Sequence, residues 1–201
     1  MNYTGSKVKL SRGLGIALTP KAARVMEKKA NPPGMHGAKQ VMRRKVSDYS
    51  KQLKEKQKLR AQYNVHERQL RNYVARASRR TGKTGDVLVQ IMETRLDAVV
   101  LRAGFARTIY AARQYVNHGH ILVDGKKVDL PAYEVKPGQK ISLKQSSRQM
   151  PDIQVALAEA NVPSYVAVNR NDFSAELMRI PYRDEVPVLC DVQLVVEYYS
   201  R

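Results

Sequence analysis

Between Leu88 and Gly104 the sequence carries a sustained helical stripe. Leu88, Ile91, Met92, Leu96, Val99, Val100 and Ala103 recur at three- and four-residue spacing until Gly104 stops the pattern. A stripe of that width has to be covered, so it belongs to a core. The next segment is short: after Thr108, Ala111, Ala112, Tyr115 and Val116 point inward and Gly119 ends the run. The period then changes to that of strands. Ile121-Leu122-Val123 and Lys126-Lys127-Val128 flank Asp124-Gly125, a strong hairpin signal, and Pro137-Gly138 turns the chain into Lys140-Ile141-Ser142-Leu143. Helices closing onto a hairpin sheet predict an α+β fold.

Upstream the pattern is helical and cationic. Ser47 and Asp48 are candidate N-caps for a helix through Tyr49 and Leu53. A second begins near Asn64, with Leu70, Tyr73, Val74 and Ala77 inward and Arg68, Arg71, Arg76, Arg79 and Arg80 outward, and it stops at Thr81-Gly82-Lys83-Thr84-Gly85. Before Ser47, scattered glycines, prolines and cations read as an irregular arm with one short helix around Ala22 to Met26. Such an arm is expected to order on RNA, a disordered basic tail being the alternative. Beyond the hairpin, Ala156 to Ala160 looks helical, whereas Val162 to Val168 and Val192 to Val196 read as strands or short buried runs. The expected organisation is a basic arm (1–44), a helical domain (45–92), a small α/β module (93–154) and a C-terminal segment (155–201) that returns to the helical domain.

Charge identifies the partner class. Lys and Arg number 36 against 18 Asp and Glu, a formal charge of +18. Residues 1–92 hold 22 basic and 5 acidic residues, residues 102–148 hold 9 and 3, and residues 149–201 hold 4 and 8. Positive charge at that density, with so few acids to pair it, calls for a polyanion. Enzymatic readings find no support. Cys190, the single cysteine, cannot form an internal disulfide, and neither it nor any serine sits in a nucleophile–base arrangement. Thr81-Gly82-Lys83-Thr84 resembles the end of a P-loop, but the first glycine that motif needs would fall at Ala77, inside a helix. His118-Gly119-His120 lacks further ligands at metal spacing, so no metal or other cofactor is expected. No apolar run approaches membrane-spanning length, and residues 1–15 lack a signal-peptide core, which suggests a cytoplasmic protein.

From Arg95-Leu96-Asp97 through Gly104-Phe105-Ala106-Arg107, Ala112-Arg113-Gln114, Val116-Asn117-His118-Gly119-His120-Ile121, Val123-Asp124-Gly125-Lys126-Lys127-Val128 and Val135-Lys136-Pro137-Gly138, the sequence resembles the small RNA-binding module named after ribosomal protein S-four. The resemblance to the bacterial S-four family of small-subunit ribosomal proteins extends to both ends: Tyr3-Thr4-Gly5, Leu10-Ser11-Arg12, Pro32-Pro33-Gly34-Met35-His36-Gly37, Lys45-Val46-Ser47-Asp48-Tyr49, Pro181-Tyr182-Arg183-Asp184-Glu185-Val186-Pro187 and Val196-Glu197-Tyr198-Tyr199-Ser200-Arg201. The zinc cysteines that many members carry near the N-terminus are absent here, so zinc is not carried over.

The resemblance implies a structural constituent of the small subunit: a primary rRNA binder at a multi-helix junction of the 5′ domain that nucleates assembly and contributes to translational accuracy. It implies two further partners, the neighbouring protein S-five and messenger RNA where it enters the ribosome, with an organellar ribosome as an alternative location. The RNA-binding candidates on the arm are Lys7, Lys9, Arg12, Arg24, His36, Arg43, Arg44 and Lys45. On the helices they are Lys54, Lys58, Arg60, Arg68, Arg71, Arg79, Arg80 and Lys83, and on the module Arg107, Arg113, Gln114, His118, His120, Lys126 and Lys127. Arg107 and Arg113 should share an exposed helix face. Arg179, Tyr182, Arg183, Tyr198 and Tyr199 are candidates for the protein partner, with Tyr198 and Tyr199 packed to close the helical core as the alternative. Rival readings are an RNA-modifying enzyme or tRNA synthetase carrying the module, and a free translational regulator.

Overall fold

The computed structural model describes residues 3–37 and 46–200; the candidates Arg43, Arg44 and Lys45 lie outside the described residues. The chain divides into two compact units, residues 1–85 with 188–201, and residues 86–187.

The first unit is helical. Its arm holds two helices where the sequence suggested one, α1 (Lys7–Leu14) and α2 (Pro20–Lys28), packed on each other. Ser6 and Thr19 cap them by accepting from the Lys9 and Ala22 amides, and Pro20 opens α2 with a pre-set φ. Helix α1 carries few apolar residues, so no helical periodicity marks it in the sequence. Helices α3 (Asp48–Gln62) and α4 (Glu67–Ser78) follow, α3 capped by Ser47. Leu59, Tyr63, Leu70, Val74 and Ala77 form their buried side.

The second unit contains most of α5 (Thr84–Glu93), then α6 (Leu96–Arg102), α7 (Ile109–Asn117), β1 (Ile121–Val123), β2 (Lys126–Lys127), β3 (Lys140–Leu143), α8 (Pro151–Glu159), β4 (Val166–Asn169) and β5 (Ser174–Leu177). The five strands form an antiparallel sheet in the order β2-β1-β3-β5-β4. Asp124 and Gly125 both take positive φ, which gives the tight turn between β1 and β2. Leu96, Val99, Val100 and Phe105 pack with Ala112, Val116, Ile121, Ile141, Leu143, Tyr165 and Leu177 in one core.

The long stripe from Leu88 to Ala103 is not one helix. It breaks at Thr94 and Arg95, where Arg95 is extended at φ −67° and ψ 142°. Backbone groups that would continue the helix instead bond to residues 131–135: Leu96 N–H donates to the Tyr133 carbonyl (2.8 Å), and the Thr94 carbonyl accepts from Val135 N–H (2.7 Å). Each piece buries its own apolar residues, so helical spacing appears on both sides of a break that is a tertiary effect.

The last helix, α9 (Val192–Tyr199), is the second correction. Val192 to Val196 reads as a strand or a short buried run, yet Asp191 caps a helix there by accepting from the Gln193 and Leu194 amides. Helix α9 packs on α3 and α4 through Val192 and Val195. The expected module ends at residue 154 and the returning segment starts at 155, whereas residues up to 187 stay with the second unit and the return begins at 188. The cause is strand pairing: Ile141 opposite Ala175 and Lys140 opposite Glu176 join the C-terminal hairpin to β3.

Candidate nucleic-acid interface

On the helical unit the cations separate by depth. Helix α4 buries Leu70, Tyr73, Val74 and Ala77, and this fixes its opposite face outward with Arg68, Arg71, Arg76 and Arg79 exposed along it. No carboxylate among the described residues forms an ion pair with Arg68, Arg71 or Arg79. Lys54 on α3, and Arg80 and Lys83 in the loop after α4, are exposed as well.

Other candidates on these helices turn inward. Lys58 pairs with Glu55 at 2.6 Å, and Arg60 donates to the Val65 carbonyl and to Gln57 Oε1. Lys56 is buried, pairs with Glu67 at 3.0 Å and lies 4.3 Å from the centre of the Tyr198 ring. Tyr199 Oη donates to Glu67 Oε1 at 2.7 Å. Burial pushes the Glu67 carboxyl up, but hydrogen bonds from Tyr199 and Lys56 and the charges of Lys56 and Arg60 outweigh it and hold the group below its ordinary value. Tyr198 and Tyr199 therefore tie α9 to the helical unit.

The arm shows the same division. Lys9, Arg24 and His36 are exposed, whereas Lys7 lies over the Tyr3 ring and bonds to the Tyr3 carbonyl. Arg12 donates to backbone carbonyls of residues 29–32.

The module surface gathers where α7 ends against β1. Gly119 takes φ +72°, and a Cβ there would overlap Lys127 Cε. The lysine stem therefore passes directly over the turn, and the backbone angle is what requires glycine. His118 and His120 have ring centres 6.0 Å apart. His120 Nδ1 lies 2.8 Å from Ser147 Oγ. Pairing of β1 with β3 places Lys144 beside His120, its N–H donating to the His120 carbonyl at 2.9 Å. Burial, then the charges of His118 and Lys144, lower the His120 pKa below its ordinary value. Gln114, His118, Lys126, Lys127 and Lys144 are all exposed. Lys144 was missed in the sequence because its place depends on the register of β1 with β3, which no local pattern reveals.

Arg107 and Arg113 do not share an open face. Arg107 is exposed and pairs with Glu159 at 3.0 Å, while the Arg113 side chain is only 15% exposed and lies 3.5 Å from Asp97. Asp97 is fully buried and accepts from Arg95 Nε at 2.9 Å, from Arg95 Nη2 and from the Ala98 amide. Burial pushes the Asp97 carboxyl up against the opposing pull of Arg95 and Arg113. Nearby in the unit, buried Glu93 accepts from Tyr165 Oη at 2.7 Å and pairs with Arg102. These networks orient α6 and α7 rather than present charge.

Of the protein-partner candidates in this unit, Tyr182 is exposed, with the Arg179 guanidinium 5.2 Å from its ring centre. Arg179 pairs with Glu185 and is thereby held in place; Arg183 is half-buried.

Comparisons with known proteins fit this geometry. Residues 2–93 match the model of the ribosomal protein S4/S9 N-terminal domain and residues 94–141 match the S4 domain. The small ribosomal subunit protein uS4 of Leifsonia xyli subsp. xyli is 55% identical, over 97% of this chain and 96% of its own. Those of Beutenbergia cavernae and Thermobifida fusca are 53% and 50% identical, the former over 98% of this chain and 96% of its own, the latter over 100% of both. Two ordered family matches and full-length relatives at this identity leave no room for an enzyme that merely borrowed the module: the chain belongs to the uS4 family of small ribosomal subunit proteins.

Proposed function

We propose that this protein is a primary binder of small-subunit rRNA, seated on a multi-helix junction of the 5′ domain, where it nucleates assembly and contributes to translational accuracy. The carrying observation is the exposed face of α4, where Arg68, Arg71 and Arg79 stand without an acidic partner among the described residues. Phosphate is the partner that such a face lacks, and a fixed helix reads the shape of folded RNA rather than its base edges. The cluster of Gln114, His118, Lys126 and Lys127 supplies a second set of contacts, and Lys9, Arg24 and His36 a third from the arm.

Two finer roles belong to the same reading. Met178 and Tyr182 are exposed apolar side chains in a segment with little positive charge, which suits contact with the neighbouring protein S-five better than contact with RNA. Messenger RNA where it enters the ribosome is the third partner, and the cytoplasm the place of action. Sedimentation tests the reading: the cellular protein should travel with small subunits and their precursors at moderate salt, and a protein found only in the free pool would overturn it.

A further inference from the structure

Where α4 and α9 meet the first turn of α3, the helical unit holds a cleft of about 650 Å³, a size that suits a small organic ligand. Its apolar wall is Val74 and Val196. Three tyrosines line it as well, Tyr49 from the start of α3 and Tyr198 and Tyr199 from the end of α9. The rings form a ladder: those of Tyr49 and Tyr198 have centres 5.8 Å apart at 35°, and those of Tyr198 and Tyr199 are 5.3 Å apart and nearly perpendicular. Buried Lys56 covers one face of Tyr198, whereas Tyr49 is 49% exposed.

The polar lining is biased toward acceptors. Tyr199 Oη donates to Glu67, Ser78 Oγ to the Ala75 carbonyl at 3.1 Å and Ser200 Oγ to the Val196 carbonyl at 2.9 Å. Each hydroxyl has committed its one proton, so lone pairs are what it can offer a ligand. Burial and Glu67 push the Tyr199 phenol up, and it keeps that proton. Arg71, from the exposed face of α4, also lines the cleft. An aromatic slot beside a cation that lacks an acidic partner matches one nucleotide, its base stacked on the rings and its phosphate at the arginine.

We propose that this cleft takes one unstacked base of the bound rRNA, held against Tyr49 and Tyr198. Acceptors in the lining favour adenine, cytosine or guanine, which carry amino groups, over uracil, which has none. The inference rests on the rRNA-binding reading above and deepens it, adding a base pocket to a face otherwise read through phosphates. Stacking neutralises no phosphate, so its loss lowers affinity and leaves the salt slope alone.

The test uses the full chain and small-subunit rRNA. Tyr49→Ala removes the half-exposed ring, Tyr49→Phe keeps it, and Ala75→Trp fills the cleft from an exposed position on α4. Tyr49→Ala and Ala75→Trp should each lower affinity roughly five- to a hundredfold at an unchanged log–log salt slope, while Tyr49→Phe binds as the wild type does. Probing of the complexes with dimethyl sulfate and kethoxal should find one adenine, cytosine or guanine that the wild type and Tyr49→Phe protect. Tyr49→Ala should expose that base within an otherwise unchanged footprint. Because Ala75→Trp deletes no side-chain contact, a fold defect in Tyr49→Ala would still leave the cleft tested. A wild-type footprint with no base that depends on Tyr49, or full affinity in Ala75→Trp, would overturn the proposal and leave rRNA binding standing. No footprint at all would overturn both.

Discussion

Asp97→Ala would leave Arg95, 1% exposed, without its bidentate partner, withdraw the ionic partner of Arg113 and remove the acceptor for the Ala98 amide. Removing one member of a buried ion pair costs roughly 3–5 kcal/mol, because the remaining charge is desolvated and uncompensated. In a domain of this size that lowers the melting temperature by at least about 12 °C. Replacing both partners with apolar residues of similar volume avoids most of that loss, so Arg95→Met with Asp97→Leu should be markedly more stable than Asp97→Ala alone. Urea unfolding followed by circular dichroism, with each variant's slope compared to wild type, gives the two free energies. A loss under about 1 kcal/mol for Asp97→Ala, or a double variant as unstable as the single, would refute the claim that this carboxylate holds α6 and α7 in place.

Further outcomes follow from the geometry. Gly119→Ala should cost about 1–2 kcal/mol for a left-handed alanine and, by pushing Lys127 off the turn, weaken rRNA binding even where the domain stays folded. Thermal melts paired with filter binding separate the two effects. The Glu185 carboxyl is held at about 2, first by its hydrogen bond from Arg179 and then by the Tyr182 amide. Since that lies below its unfolded value, whatever stability the pair supplies is present above about pH 4.5 and lost as the pH falls toward 2. A carbon-detected NMR titration should show Glu185 still ionised at pH 3, and Arg179→Ala should return it toward the ordinary carboxylate range.

The sequence shows elements that local chemistry decides. The Asp124-Gly125 hairpin, the Thr108 cap of α7 and the buried side of α4 each depend on residues within a few positions of one another, and each forms where its pattern lies. What was not legible depends on distant partners. Nothing around Thr94 shows that its carbonyl belongs to Val135, so the stripe from Leu88 to Ala103 reads as one helix. Nothing around Val192 shows that α3 and α4 accept a helix there, so the run reads as a strand or a short buried segment. The same reasoning separates the cations: Lys127 stays exposed on the hairpin, while Arg113 and Arg12 look equally available in sequence until Asp97 and the carbonyls of residues 29, 31 and 32 are seen beside them.

The most direct test of the central claim is the salt dependence of binding to small-subunit rRNA for the triple variant Arg68→Ala, Arg71→Ala, Arg79→Ala. Three exposed side chains without ion pairs should leave the fold intact, since such substitutions change stability by less than about 0.5 kcal/mol each. If each neutralises one phosphate, the log–log slope becomes shallower by roughly 2 to 3 and affinity falls most at low salt. A variant that folds as the wild type does, yet binds with the same affinity and slope, would contradict the account by showing that the α4 face is not where the RNA lies.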